Sequence, residues 1–228
     1  MNAQLQTSGW RPAGAAPEAG PAPGPEVEVV SSYRGMLALE GEWNDLYARA
    51  GVQHPFLTHE WIRTWWECFG APAGLEILVF RDGAAGTIAV VPLIADATRM
   101  FGVGLARLGL PWNFHTPRLG LVVAERHEEV YRLLWEYLTR EERRWDLLRL
   151  CQLPEGARES RRLAGLAASE GFLVGRWTSG GAPFVDVRGS WSDYFAGLSK
   201  KHRTTVRNRR RRLERLGRVE LETVDGSG

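Results

Sequence analysis

Residues 75–110 read LEILVFRDGAAGTIAVVPLIADATRMFGVGLARLGL, and this stretch decides which fold classes stay open. Leu75–Arg81 and Thr87–Ala95 are apolar runs separated by Asp82-Gly83 and Gly86. That spacing predicts two strands joined as a hairpin, because Asp-Gly suits the tight turn that twisted strands require. Val103–Leu110 predicts a third strand. Arg118–Ala124 predicts a fourth, across the loop Pro111-Trp112-Asn113-Phe114-His115-Thr116-Pro117. A meander of this kind needs apolar helix faces to cover it, and both flanks supply them.

Upstream, Val27–Val30 reads as a short strand. Leu39–Ala50 reads as a helix with Leu39, Trp43, Leu46 and Ala50 at helical spacing, closed by Gly51. After the connector His54–Leu57, Thr58 caps a helix predicted to turn Trp61, Ile62, Trp65, Trp66 and Phe69 inward. Downstream, Glu128–Glu141 is a helix with Val130, Leu133, Leu134, Tyr137 and Leu138 on one side. Trp145–Leu153 reads as a buried strand, Arg158–Ser169 as an amphipathic helix ended by Gly171, and Phe172–Arg176 and Phe184–Val187 as strands. The order predicts an α+β protein: one mixed, mostly antiparallel sheet with helices on both faces, spanning residues 26–188. Residues 1–25, rich in Ala, Gly and Pro, read as a disordered tail.

The chain's 228 residues are 44% hydrophobic and 25% charged, as in a soluble globular protein. Two cysteines, Cys68 and Cys151, are too few for a disulfide framework or a zinc site and are expected to be buried, reduced thiols. No apolar run reaches the roughly 20 residues a membrane span needs, and the first residues lack a secretory pattern. A cytoplasmic location is expected.

Charge is distributed unevenly. Between Lys200 and Arg218 stand ten basic residues against Glu214 alone, while the whole chain carries only +2, so the remainder is net acidic. The stretch SWSDYFAGLSKKHRTTVRNRRRRLERLG, residues 190–217, opens with Ser190 three residues before Asp193, a helix-start signal. Trp191, Tyr194, Phe195, Leu198, Val206, Leu213 and Leu216 share one helical face, with His202, Thr205 and Arg209 at its centre. A break near Gly197-Leu198-Ser199, with Ser199 capping a second helix, fits the same residues. Arg218–Val224 reads as a closing strand.

The stretches EWNDLYARA, HPFLTHEWIRTWWECFG, IAVVPLI and RWDLLRL resemble the N-terminal half of CelD-like acetyltransferases, a GNAT-superfamily group linked to bacterial polysaccharide synthesis. The stretch PFVDVRGSWSDYFAGLSKKHRTTVRNRRRRLERLGRVELETV resembles the opening of the second GNAT-like unit in those proteins, and is similar to the same point in FemAB-type aminoacyl transferases. The resemblance covers about residues 26–224. It implies a GNAT-like domain over 26–188, the start of a second such unit over 189–228, and a companion C-terminal half. It also implies acyl-CoA (acetyl-CoA) as co-substrate, not bound by this half alone, and a small-molecule or glycan-precursor acceptor.

GNAT enzymes hold pyrophosphate on a Gln/Arg-x-x-Gly-x-Gly/Ala loop at a helix N-terminus. Arg99-Met100-Phe101-Gly102-Val103-Gly104 matches the string but lies between two predicted strands, where a hairpin turn is expected. The strand-to-helix junction Ala124–Glu128 has no glycine and two acids, and should repel pyrophosphate. The loop with Trp112, His115 and Arg118 has the groups to stack on a sugar ring, bond its hydroxyls or hold an anion, or is a braced polar loop. His115 has the chemistry of a general base but no adjacent carboxylate. His202, Arg203 and Arg209 are the candidate anion contacts of the basic segment. His59-Glu60 lacks a second His at helical spacing, so no metal site is expected.

Two functions follow. One is acyl transfer from a CoA thioester to an amine or hydroxyl, this chain being the non-catalytic half. The other is a nucleic-acid-binding module using the arginine helix, against which stand the absence of interleaved aromatics and of any known motif.

Overall fold

Alternation of polar and apolar positions fails in the central hairpin: Thr87–Ile94 is buried at every position. A strand buried on both faces must lie in a sheet covered on both sides. The computed structural model describes residues 24–83, 85–141, 145–181, 183–186, 188–220 and 222, and shows that arrangement. These residues form two units, one ending at Ser179 and one beginning at Gly180.

The first unit runs β1 (Glu26–Val30), α1 (Tyr33–Ala38), α2 (Glu40–Arg49), a 3-10 turn at Pro55–Leu57, α3 (His59–Phe69), β2 (Gly74–Asp82), β3 (Gly86–Met100), β4 (Val103–Gly109), β5 (Val122–Val123), α4 (His127–Glu136), β6 (Leu147–Arg149) and α5 (Arg158–Ser169). Its sheet has the order β1-β2-β3-β4-β6, with β5 also paired to β3. Every pairing is antiparallel except β4–β6, which runs parallel from Arg107↔Leu147 to Gly109↔Arg149. The expected class, mixed α+β with a mostly antiparallel sheet, is the observed one.

One edge of β3 is shared. Ala89 and Val90 pair with β5, and Ile94 to Met100 pair with β4. Pro92 falls in the gap between these pairings, where a residue without an N–H costs the ladder nothing. The chain after β4 leaves the sheet at that gap and becomes the Pro111–Pro117 loop.

The helices are placed by caps and aromatic anchors. Thr58 Oγ1 accepts from Trp61 N at 3.2 Å and starts α3. Trp43 and Leu46 of α2 are fully buried, and the Trp43 indole donates to Leu57 O at 2.9 Å, tying α2 to the turn before α3. His59 is also fully buried, its Nε2 donating to Met36 O at 2.9 Å. That geometry makes His59 a core fastener between α1 and α3. Buried Val130, Tyr131, Leu134 and Trp135 do the same work for α4.

Several expectations need correction. Phe172–Arg176 and Phe184–Asp186 are not strands. Leu173 and Phe184 are almost fully exposed, and no described neighbour offers these segments a ladder. Trp145–Leu153 forms a strand only over Leu147–Arg149, and Arg118–Ala124 only over Val122–Val123. Phe69 turns outward rather than inward, and Cys68 beside it is exposed rather than buried. Helix α1 was not expected, and Ser32 caps it through a 3.0 Å bond from Gly35 N. The tail lies, up to residue 23, outside the described residues.

The second unit holds α6 (Trp191–Gly197) and α7 (Lys200–Leu216). Ser190 and Asp193 form a reciprocal capping box on α6, and Ser199 caps α7, so the break falls where the sequence placed it. Residues 218–220 are not in a strand; the rest of the expected Arg218–Val224 strand lies, apart from Glu222, outside the described residues. Among the described residues no helix is long and apolar enough to cross a membrane.

Candidate functional site

Three features of the first unit converge where the parallel strands β4 and β6 end. Gly109 ends β4 so close to β6 that a Cβ there would stand 2.5 Å from Arg149 O, so only glycine fits. Leu110 N donates to that same carbonyl at 3.4 Å and Leu119 N to Gln152 O at 2.9 Å, which pins both ends of the loop to the β6 strand and its exit. Between these points a small cavity is lined by Ile94, Arg107, Gly109, Leu110, Trp112, Arg149 and Cys151.

Arg107 and Arg149 differ sharply within it. Arg107 is neutralised by Asp96, with Nε 2.7 Å from Oδ1 and a second, shorter contact from the other arm. The Arg149 guanidinium has no ion-pair or hydrogen-bond partner among the described residues. Its guanidinium carbon lies 5.1 Å from the Trp112 ring centre and 5.9 Å from that of Trp177, and its Nε is buried without an acceptor. Stacking on aromatic rings recovers about 0.5–2 kcal/mol. It leaves the buried Nε–H unsatisfied, at a cost of about 1–3 kcal/mol for a buried donor. Burial pushes the Cys151 thiol above its ordinary range, against a smaller opposing pull from Arg149 and Arg107.

The loop itself is organised by Asn113. Its Oδ1 accepts from His115 N at 2.9 Å, and its Nδ2 is buried without a partner. Thr116 is fully buried and receives the Trp61 indole N–H at 3.3 Å. His115 points outward and stacks on Phe69, 6.1 Å between centroids at 19°. No carboxylate bonds it among the described residues, so its imidazole is a flat platform and not an oriented base. Phe114 is 93% exposed. Arg118 is exposed near His54, whose imidazole is held below its ordinary pKa first by burial and then by Arg118. Trp112, His115 and Arg118 therefore share one loop, with Trp112 at the cavity and the other two facing solvent. Sequence reasoning missed Arg149 and Trp177; the available signal was a lone arginine inside the apolar run LLRLC, residues 147–151.

The two places where a CoA pyrophosphate was weighed are occupied otherwise. Arg99–Gly104 closes the β3–β4 hairpin, with Met100 paired to Val103 and Phe101 and Gly102 in left-handed conformation. At the start of α4, Glu128 and Glu129 fill the first turn, and Arg126 is held by Asp82 and by Glu129 at 2.7 Å. Paired cations and carboxylates at a helix N-terminus do not fit a pyrophosphate.

In the second unit every residue of α7 is exposed or half-buried. Arg203 donates to Ala196 O at 2.9 Å and to Leu198 O, closing the C-terminal end of α6. Arg207 lies 5.1 Å from the Phe195 ring centre. Trp191, Ser192, Phe195, Ala196, Arg203 and Arg207 line a shallow groove. The Ser199 hydroxyl contacts His202 Nδ1 at 3.0 Å, while Arg209 is exposed with no partner among the described residues. Arg203 is thus a structural cap as well as a candidate contact, and Arg209 is uncommitted. Among the described residues no cluster of three His, Cys, Asp or Glu could hold a metal.

The chain is a mixed α+β protein. No protein-family model and no curated protein match it. Among solved structures, a point variant of the BH1408 protein from Bacillus halodurans is similar at 14% identity and a TM-score of 0.40, over 70% of this chain and 99% of that one. A ribosomal-protein-alanine N-acetyltransferase from Brucella melitensis biovar Abortus is similar at 16% identity and a TM-score of 0.39, over the same shares.

Proposed function

We propose that the chain serves a GNAT-type acyltransferase as its acceptor-side, non-catalytic half, and that the acceptor is an envelope or polysaccharide-related amine or hydroxyl. The observation that carries the reading is the open aromatic and polar platform beside the ends of β4 and β6. Trp112, Phe114 and Trp177 offer ring faces, while His115 and Arg118 offer exposed donors within one short loop. Ring faces suit the C–H surfaces of a sugar, and exposed donors suit its hydroxyls. The resemblance to CelD-like acetyltransferases supplies the reaction. In direct transfer the acceptor nitrogen or oxygen attacks the thioester carbonyl, the C–S bond breaks, and CoA leaves as the thiol carrying the acceptor's proton. No protein nucleophile is required, and the pyrophosphate site belongs to a companion unit.

Saturation-transfer NMR tests the reading. Glucose and glucosamine receive saturation from the chain and lose it in a Trp112→Ala, His115→Ala variant, whereas acetyl-CoA receives none. Sugars that receive none from the parent chain would contradict it.

A second reading has one observation in its favour. Trp191 is 64% exposed and Tyr194 38% exposed, and the groove that Trp191 lines also holds Arg203 and Arg207, so aromatics and cations are interleaved after all. Such platforms bind single-stranded nucleic acid. A steep log–log dependence of random-DNA binding on salt would favour that module.

A further inference from the structure

We propose that Arg149 anchors an oxyanion site, and that its ligand is an acidic sugar whose carboxylate or phosphate meets the guanidinium between Trp112 and Trp177. The inference deepens the acceptor-side reading, on which only the sugar part of the ligand rests. The anion part stands on Arg149 itself.

A guanidinium is planar. Its two faces take aromatic rings, and its N–H groups radiate in the plane. Here the guanidinium carbon lies over the rings of Trp112 and Trp177. The in-plane Nε is buried and unmet, and the residue lines a cavity of about 10 Å³, room for one oxygen atom of an anion whose remainder lies outside it. Fork-shaped donors of this kind match carboxylate and phosphate oxygens two at a time. The neighbouring cation Arg107 does not compete for the ligand, because Asp96 already holds it. Nothing else lining the cavity is acidic: Ile94, Gly109, Leu110, Trp112 and Cys151 present no carboxylate. Trp177 is 66% exposed on a segment without regular structure. It therefore offers an open ring surface, on which the sugar carrying the anion can lie.

The position of the site has a further consequence. Arg149 is the last residue of β6 and is paired through its backbone to Gly109 at the end of β4. The anion is thus placed by the sheet and not by a loop, which fixes the register of whatever is attached to it. Phe114 and His115 follow Trp112 in the same loop, and His115 stacks on Phe69 at the end of α3. A ligand anchored at Arg149 and lying along Trp112 would meet Phe114 next, whose ring centre is 5.5 Å from that of Trp112.

The test is a set of calorimetric titrations with four probes: glucose, glucose 6-phosphate, glucuronate and inorganic phosphate. Glucose 6-phosphate or glucuronate is expected to bind at least about tenfold more tightly than glucose, equivalent to about 1.4 kcal/mol, and the preferred one names the oxyanion. Arg149→Met is expected to abolish the difference. Trp177→Ala, which removes an exposed ring and leaves the core untouched, is expected to weaken the acidic probe several-fold and glucose less. In the indole region of a ¹H–¹⁵N spectrum, assigned by Trp112→Phe and Trp177→Phe, the acidic probe is expected to move those two of the ten tryptophan signals. Equal binding of glucose and both acidic sugars overturns the inference and leaves the acceptor reading standing. Acidic-sugar binding unaffected by Arg149→Met, or unaccompanied by shifts of Trp112 and Trp177, overturns it as well. Binding of inorganic phosphate as tightly as glucose 6-phosphate contradicts the sugar part.

Discussion

Arginine does opposite things in the two units. Up to Ser179, Arg49 meets Glu125, Arg81 meets Glu28 and Glu42, Arg126 meets Asp82 and Glu129, and Arg162 meets Glu128. Such half-exposed pairs contribute about 0–1 kcal/mol each, and their net effect on the protein's field is small. In α7 only Arg210, with Glu214 at 2.8 Å, is paired among the described residues, and the remaining cations add up to an uncompensated field. The apolar side chains divide in the same way. Trp43 and Phe80 are fully buried, whereas Leu213 is 55% and Leu216 86% exposed. The lesson is that function is to be sought in the unpaired arginines: Arg149 in the first unit and the field of α7 in the second.

The largest expected difference comes from truncating one apolar residue in each unit. Trp43→Ala removes a buried ring and a buried hydrogen bond and should cost about 3–5 kcal/mol in urea unfolding. Leu216→Ala should stay within about 0.5 kcal/mol. A comparable loss at Leu216 would break the comparison, because it would mean that the α7 stripe is packed. Next in size, Ser199→Ala removes the α7 cap and should cost that helix about 1 kcal/mol, read as faster amide exchange in its first turns.

Proton linkage is expected in the first unit. Burial first, then neighbouring arginines, hold the His54 and His127 imidazoles below their ordinary pKa. The unfolded chain therefore binds more protons below about pH 6.5, and stability should fall as pH drops through and below that value. His54→Gln and His127→Gln should each flatten the urea-midpoint profile. At the alkaline end, burial first pushes the Tyr131 hydroxyl up to about 12, so stability should decline as pH rises from about 10 toward 12. The smallest effect on stability is expected at exposed Arg209. On the proposed reading, Arg209→Met should leave the melting temperature unchanged while lowering acyl transfer by an enzyme in which the chain is joined to its companion half. A lower melting temperature with normal transfer would make it a structural pair.

Legibility in the sequence followed how local each interaction is. The hairpin β2–β3, the caps at Thr58, Ser190 and Ser199, and the bounds of α5 depend on neighbouring residues, and they could be read directly. Helix α1 escaped because six residues with only Met36 buried carry no periodicity. The expected strands at Phe172–Arg176 and, over its described residues, Phe184–Asp186 failed because a strand needs a partner, and propensity does not reveal whether one exists. Within the site, the loop with Trp112, His115 and Arg118 was visible as a cluster. Arg149 was not, because its meaning comes from Trp112 and Trp177, 37 and 28 residues away in the chain.

The central claim is that the packed unit takes the acceptor and has no pyrophosphate site, and a calorimetric titration of the chain with acetyl-CoA tests it most directly. The account predicts a dissociation constant no tighter than about 1 mM, unchanged by Gly102→Asp plus Gly104→Asp. Micromolar binding that disappears in that double variant would show that the β3–β4 hairpin holds the cofactor, and would contradict the account.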